Sequence, residues 1–180
     1  GQGFLVNSIR EDGKTILEAA FSVLNTSGKY REDGSYEGTS LGSFGIGSKI
    51  TTFLSHWLKV ITWRDNYYEQ IKFKEGAYDS RKTGPCPYIG WHGTSVQWKP
   101  SEEFFKNTEV EIKKIRDLFK TISCLCPGLT INLDYNGTKE VYISTNGLND
   151  LVDDAVKGNE IIDNRLSVDS SFDKFRLNLV

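Results

Sequence analysis

Four glycines, Gly38, Gly42, Gly45 and Gly47, lead into an apolar-periodic run from Ile46 to Trp57. A glycine held in order costs about 0.5–1 kcal/mol relative to alanine, so a cluster of them ahead of a helix points to main chain that must stay bare. The first N–H groups of a helix have no intrahelical partner, and the helix dipole places about half a positive charge beside them. Glycines at that place let an anion, a phosphate above all, reach the backbone without a Cβ in the way. Gly42, Gly45 and Gly47 stand just before or inside the first turn, so the segment reads as an anion cradle. It matches neither G-x-x-x-x-G-K-[ST] nor a G-x-G-x-x-G that follows a strand. A tight loop-to-helix junction with no ligand accounts for the same glycines equally well, and the segment alone does not choose.

The other chemistry-bearing residues are sparse. Cys86, Cys124 and Cys126 make an odd count, and Cys124-Leu-Cys126 lacks zinc-ligand spacing. They read as reduced thiols in a cytoplasmic compartment, with no metal ligands. The sequons at Asn25 and Asn136 are patterns that arise by chance. A net charge of −2 over 180 residues does not describe a domain built as a whole to hold nucleic acid or an anionic membrane. No apolar run approaches the roughly 20 residues of a membrane span. The chain lacks methionine and opens on Gly1, which reads as a fragment or a chain with its start removed.

The elements that must carry the cradle follow from periodicity. Lys14 to Asn25 sets Ile16, Leu17, Ala20, Phe21 and Leu24 on one helical face. Thr26 to Gly42 is polar, glycine-rich and aperiodic, a long loop that invites a function. The helix from Ile46 to Trp57 carries Ile46, Ile50, Phe53, Leu54 and Trp57 on its expected buried stripe. The period then changes to two: strands flank Asp65-Asn66 as a hairpin, Glu75 to Trp91 reads as a second polar loop, and Gly93 to Pro100 as a further strand. A helix is expected over Val110–Ile122, a hairpin about Asn136-Gly137, a short helix over Leu148–Val156, and a closing strand from Phe172. Hairpins dominate and helices come in separate blocks, so the expected class is α+β: a two-layer sandwich, mostly antiparallel sheet with helices on one face, in a single domain from 1 to 180.

Taken in order, "GQGFLV", "SVLNTSGKY", "SYEGTSLGSFGIGSK", "HWLKVITWRD", "GTSVQWKPSEEFF" and "LTINLDYNG" resemble the ATPase domain of the B subunit of DNA gyrase and of topoisomerase IV, within the GHKL (Bergerat) ATPases. The resemblance spans nearly the whole chain, and the collinearity of short motifs carries it. It implies an ATP site. Gly1-Gln2-Gly3 and Leu5 match the adenine-pocket segment, with Gln2 where the family has arginine and Leu5 where it has proline. Lys29 matches a lysine that approaches the phosphates, and Tyr36 a tyrosine of the lid. Gly42, Ser43, Phe44, Gly45, Ile46 and Gly47 match the triphosphate cradle, with Phe44 in place of a histidine. Thr94 matches a threonine at the adenine edge. Outside the resemblance, Lys29 is an ordinary loop lysine, Tyr36 an exposed loop aromatic, and Thr94 a β-branched strand residue.

No position matches the family's water-activating glutamate, its Mg²⁺-holding asparagine or its adenine-reading aspartate, which the resemblance places before Gly1. No catalytic residue is therefore assigned. The resemblance implies a parent type II topoisomerase using ATP and Mg²⁺ to close a dimer gate between two B subunits. Its further partners would be the A subunit, DNA through the holoenzyme, and no membrane. Two rivals stand beside it: another GHKL enzyme, chaperone or MutL-like, and a non-catalytic relative that keeps the fold for dimerisation or binding.

Overall fold

The computed structural model describes residues 1–24, 26, 45–158, 168–172 and 175–179. The chain divides into two compact units, Gly1–Thr108 and Glu109–Val180.

In the first unit, Thr15 caps helix α1 (Ile16–Ser22), its hydroxyl accepting from the Glu18 N–H at 3.1 Å. The helix is shorter than the periodicity of Lys14 to Asn25 suggests. Helix α2 (Gly47–Phe53) follows. Strands β1 (Ser55–Arg64), β2 (Tyr67–Lys74), β3 (Ala77–Pro85) and β4 (Gly93–Pro100) form one antiparallel sheet, ordered β3-β2-β1-β4. The β1–β2 hairpin turns through Asp65 and Asn66, both at positive φ (51° and 63°), the conformation that asparagine and aspartate tolerate best in two-residue hairpin loops.

Alternation along β1 and β2 buries Leu58, Val60, Ile71 and Phe73 on one face. There they meet Leu17 and Phe21 of α1, with Phe4 and Ala20 packed alongside. Each such side chain contributes about 1.5–3 kcal/mol relative to exposure. Phe4 packs the N-terminal segment onto this core.

Two expectations are corrected. The helix expected to run to Trp57 ends at Phe53, because the period-two run from Ser55 enters β1. Its apolar stripe is not buried: Ile46, Ile50, Phe53 and Trp57 are exposed, and α2 buries Lys49 and Thr52. The polar stretch from Glu75 holds strand β3, paired with β2 after a turn at Glu75-Gly76. Lacking an apolar alternation, this edge strand is held by its backbone pairing with β2 and by polar side chains, Arg81 on Glu69 and Thr83 on the Tyr68 carbonyl.

In the second unit, helix α3 (Ile112–Leu125), the hairpin of β5 (Ile131–Tyr135) and β6 (Thr138–Tyr142), and helix α4 (Leu148–Ala155) appear where the pattern places them. Asn136-Gly137 forms the hairpin turn at φ 50° and 80°. Arg116 of α3 grips Glu140 of β6 with two nitrogens, and Phe119 meets Tyr142 edge-on at 6.0 Å. A last hairpin pairs β7 (Val168–Phe172) with β8 (Phe175–Leu179). The α+β class with mostly antiparallel strands is the observed one.

Candidate functional site

The site is built around Thr62, which sits on the helix-covered face of β1 and is fully buried. Its hydroxyl accepts from the Phe4 N–H at 2.7 Å and donates to the Gly93 carbonyl at 3.1 Å, with the Thr94 hydroxyl 3.4 Å away. One side chain thus joins the Gly1–Leu5 segment to the start of β4, across 58 residues of sequence in one direction and 31 in the other.

Gly3 makes that junction possible. Its φ is +73°, and a Cβ there would collide with the Trp63 carbonyl oxygen and lie 2.9 Å from that of Gly93. The Gly3 carbonyl accepts from the Arg64 guanidinium at 3.4 Å, and the Gly1 carbonyl is 2.6 Å from His92 Nδ1. Gln2, Arg64, Asn66, Trp91 and His92 line an adjoining cavity of about 430 Å³. Leu5 is exposed at its edge of the chain.

A second cluster fixes the far end of the same segment. Glu69 of β2 is fully buried and receives Arg81 Nε at 3.0 Å and the Asn7 N–H at 3.1 Å. Arg81 and Thr83 both donate to the Asn7 side-chain oxygen, at 2.6 and 3.0 Å. Asn7 stands at φ 58°, so the chain reverses where three side chains clamp it.

The start of α2 is the third piece. Gly45 adopts φ +60°, and Ile46 caps the helix without any side-chain hydrogen bond. A Cβ on Gly47 would meet no atom within 4 Å, so open space faces the first turn, as a backbone cradle needs. Ser48 ties this turn to α1 by donating to the Ala20 carbonyl at 2.7 Å. Beside it lies Lys49, buried, its ammonium held below its ordinary value by desolvation.

Of the expected site residues, Gly1, Gln2, Gly3 and Thr94 gather at the Thr62 junction, while Gly45, Ile46 and Gly47 open α2. No hydrogen bond among the described residues links those two groups. Lys29, Tyr36, Gly42, Ser43 and Phe44 lie outside the described residues. Thr62, Glu69, Arg81 and Lys49 were not singled out from the sequence. Neither Thr62 nor the Glu69 cluster had a local signal: the partners of Thr62 are 58 and 31 residues away and those of Glu69 12 and 62.

Among the described residues no group of three or more His, Cys, Asp or Glu could hold a metal ion. All three cysteines are free. No described helix is long and apolar enough to cross a membrane.

The fold is that of an ATPase domain of the GHKL class. The 43K ATPase domain of Thermus thermophilus gyrase B, solved with an aminocoumarin, superposes with a TM-score of 0.79 over 99% of this chain and 45% of that one, at 21% identity. The ATP-binding domain of Francisella tularensis topoisomerase IV, solved with a small-molecule inhibitor, superposes with a TM-score of 0.70 over 99% of this chain and 46% of that one, at 20% identity. In sequence, the gyrase B protein of Thermotoga maritima is 32% identical over 82% of this chain and 23% of its own length. The B subunit of Escherichia coli topoisomerase IV is 30% identical over 88% and 25%. No family model matches the chain. The chain belongs to the family of these gyrase and topoisomerase IV B subunits, and it spans about a quarter of the length of the relatives it matches.

Proposed function

We propose that the 180 residues form one nucleotide-binding domain of a type II topoisomerase, in its B subunit, acting in a cytoplasmic enzyme. There ATP binding closes two B subunits into a gate, and the A subunit and DNA complete the assembly. The observation that carries this reading is the Thr62 junction, which unites the two motif pieces that the family resemblance assigns to adenine, Gly1–Leu5 and Thr94. The glycine-opened start of α2 supports a role for its backbone N–H groups in holding phosphates, with Gly42, Ser43, Phe44 and Lys29 completing the cradle and Tyr36 the lid.

Phosphoryl transfer to water calls for positioning, charge neutralisation by a metal and a group that orients the water. These residues supply positioning. No position among the 180 matches the family's catalytic glutamate or metal-holding asparagine, so hydrolysis, with its Mg²⁺, depends on groups outside them. No position matches the family's adenine-reading aspartate either, so binding is dominated by phosphate contacts: ATP binds better than ADP, and adenosine hardly at all.

Calorimetric titration with ATP, ADP and adenosine tests the reading. Gly45→Val should abolish the ATP heat while circular dichroism stays unchanged, because a β-branched side chain disfavours φ +60° and projects beside the cradle. Equal affinity for ATP and adenosine, or ATP binding that survives Gly45→Val in a folded protein, would overturn it.

A further inference from the structure

The sheet has a second face, and nothing in the nucleotide reading uses it. Residues that alternate with the core positions of β1 and β2 project there. The register stacks them in rows: Lys99–Trp57–Lys74, then Gln97–Lys59–Lys72–Ser80, then Ser95–Ile61–Gln70–Lys82. Lys72, Lys74 and Lys82 are exposed and Lys59 is half-buried. His56, Trp57, Lys59, Lys72, Lys74 and Asp79 line a groove of about 360 Å³ over this face.

The charges are not neutralised locally. Lys99 pairs with Glu102 at 3.3 Å and His56 stands 3.8 Å from Glu75. Asp79 is the acidic residue lining the groove, and it accepts from the Ser80 hydroxyl at 2.9 Å. Lys59, Lys72, Lys74 and Lys82 enter no ion pair among the described residues. Lys59 and Lys72 stand directly opposite across the strands, where like charges destabilise a sheet. A chain that is acidic overall thus concentrates on one sheet face lysines that have no ion pair among the described residues, an arrangement costly for folding and complementary to a polyanion.

We propose that this open face binds the phosphodiester backbone of duplex DNA, without sequence preference. Lysines are flexible point charges suited to backbone phosphates. Rows about 7 Å apart along the strands match the reach between successive phosphates. A single strand fits less well, because stacking platforms need successive aromatic rings. After Trp57 the next aromatic row on this face is Trp63 and Tyr68, about 20 Å away by strand rise, and Trp63 is already in edge contact with Trp91 at 6.0 Å. The face lies opposite Thr62 and Thr94, so the proposal does not rest on nucleotide binding.

Fluorescence anisotropy of the 180-residue chain with a labelled 20-base-pair duplex tests it. The duplex should bind at 50 mM salt, with log affinity falling against log salt at a slope of about −0.9 per phosphate contact. The triple variant Lys59→Gln/Lys72→Gln/Lys74→Gln should make that slope shallower by about 2.7, three contacts at the same coefficient, and weaken binding at least tenfold. Lys113→Gln/Lys139→Gln, on the other unit, should bind as the parent does, and the ATP titration should be the same for all. Circular dichroism of the triple variant confirms its fold, and the single substitutions Lys72→Gln and Lys74→Gln give graded losses if it does not hold. No duplex binding at 50 mM salt, a slope unmoved by the triple variant, tighter binding of a 20-nucleotide single strand, or tighter binding to vesicles of 30% phosphatidylserine in phosphatidylcholine would each overturn the proposal.

Discussion

Gly3 and Lys49 show how far single residues reach. At Gly3 the left-handed φ of +73° and the nearby Trp63 and Gly93 carbonyls exclude any side chain. Gly3→Ala should destabilise the fold by about 2–4 kcal/mol, combining backbone strain with a displaced segment. A urea midpoint equal to the parent's would show that Gly1–Leu5 does not dock as observed. Lys49 acts through charge. Burial lowers its pKa from the ordinary 10.5, so between the folded and unfolded values the unfolded chain holds more protons, and stability rises as the pH climbs through that window. Lys49→Met should raise the melting temperature at pH 7 and remove the alkaline gain. Parallel melting curves against pH for variant and parent would contradict this.

At the scale of elements, the sheet is a scaffold that fixes the N-terminal segment at two points, Thr62 and the Glu69 cluster. Removing the arginine of that cluster leaves a fully buried carboxylate with no cation. Arg81→Met should therefore cost about 2–3 kcal/mol, below the usual loss for a buried pair because the Arg81 side chain keeps 28% exposure. Glu69→Gln removes the charge and keeps an oxygen for the Asn7 N–H, so it should cost less. The double variant should recover part of the Arg81→Met loss. Chemical denaturation of the three proteins reads the coupling; strict additivity would mean that the pair does not act as a unit. Because Arg81 and Glu69 also hold Asn7, the Arg81 variant should weaken ATP binding as well.

For the whole molecule, the proposed function separates positioning from chemistry. A phosphate-release assay on the chain alone should show no Mg²⁺-dependent turnover, since a positioned base contributes about 10²–10⁴-fold and metal ligands add to it. Steady turnover would mean that a catalytic carboxylate lies among these residues and that the match of Gly1-Gln2-Gly3 to the adenine segment is misplaced. The proposed nucleotide site and the lysine rows lie on opposite faces of the sheet, so variants on either should leave the other's ligand unaffected.

Local chemistry was legible in the sequence wherever a few neighbouring residues decide the outcome. Asp65-Asn66 and Asn136-Gly137 turn the chain because they tolerate positive φ. Period-two runs made β1, β2 and β4, the apolar spacing of Leu17 and Phe21 set α1 on the core, and collinear short motifs carried the family. What the sequence left open is what burial decides between remote residues. The run after Ile46 fits a helix through Trp57, and only pairing of Ser55 onward with β2 and β4 ends it at Phe53. Strand β3 has no apolar alternation and exists through its pairing with β2. Thr62 looks like strand filler until Phe4, Gly93 and Thr94 converge on its hydroxyl, and Glu69 looks like a surface acid until Arg81 and Asn7 enclose it. Side-chain alternation alone assigns the lysines to one face, but their alignment in rows depends on the register of four strands. A sequence pattern reports the preferences of a residue and its neighbours, whereas burying a polar group is favourable only when partners from distant segments arrive together.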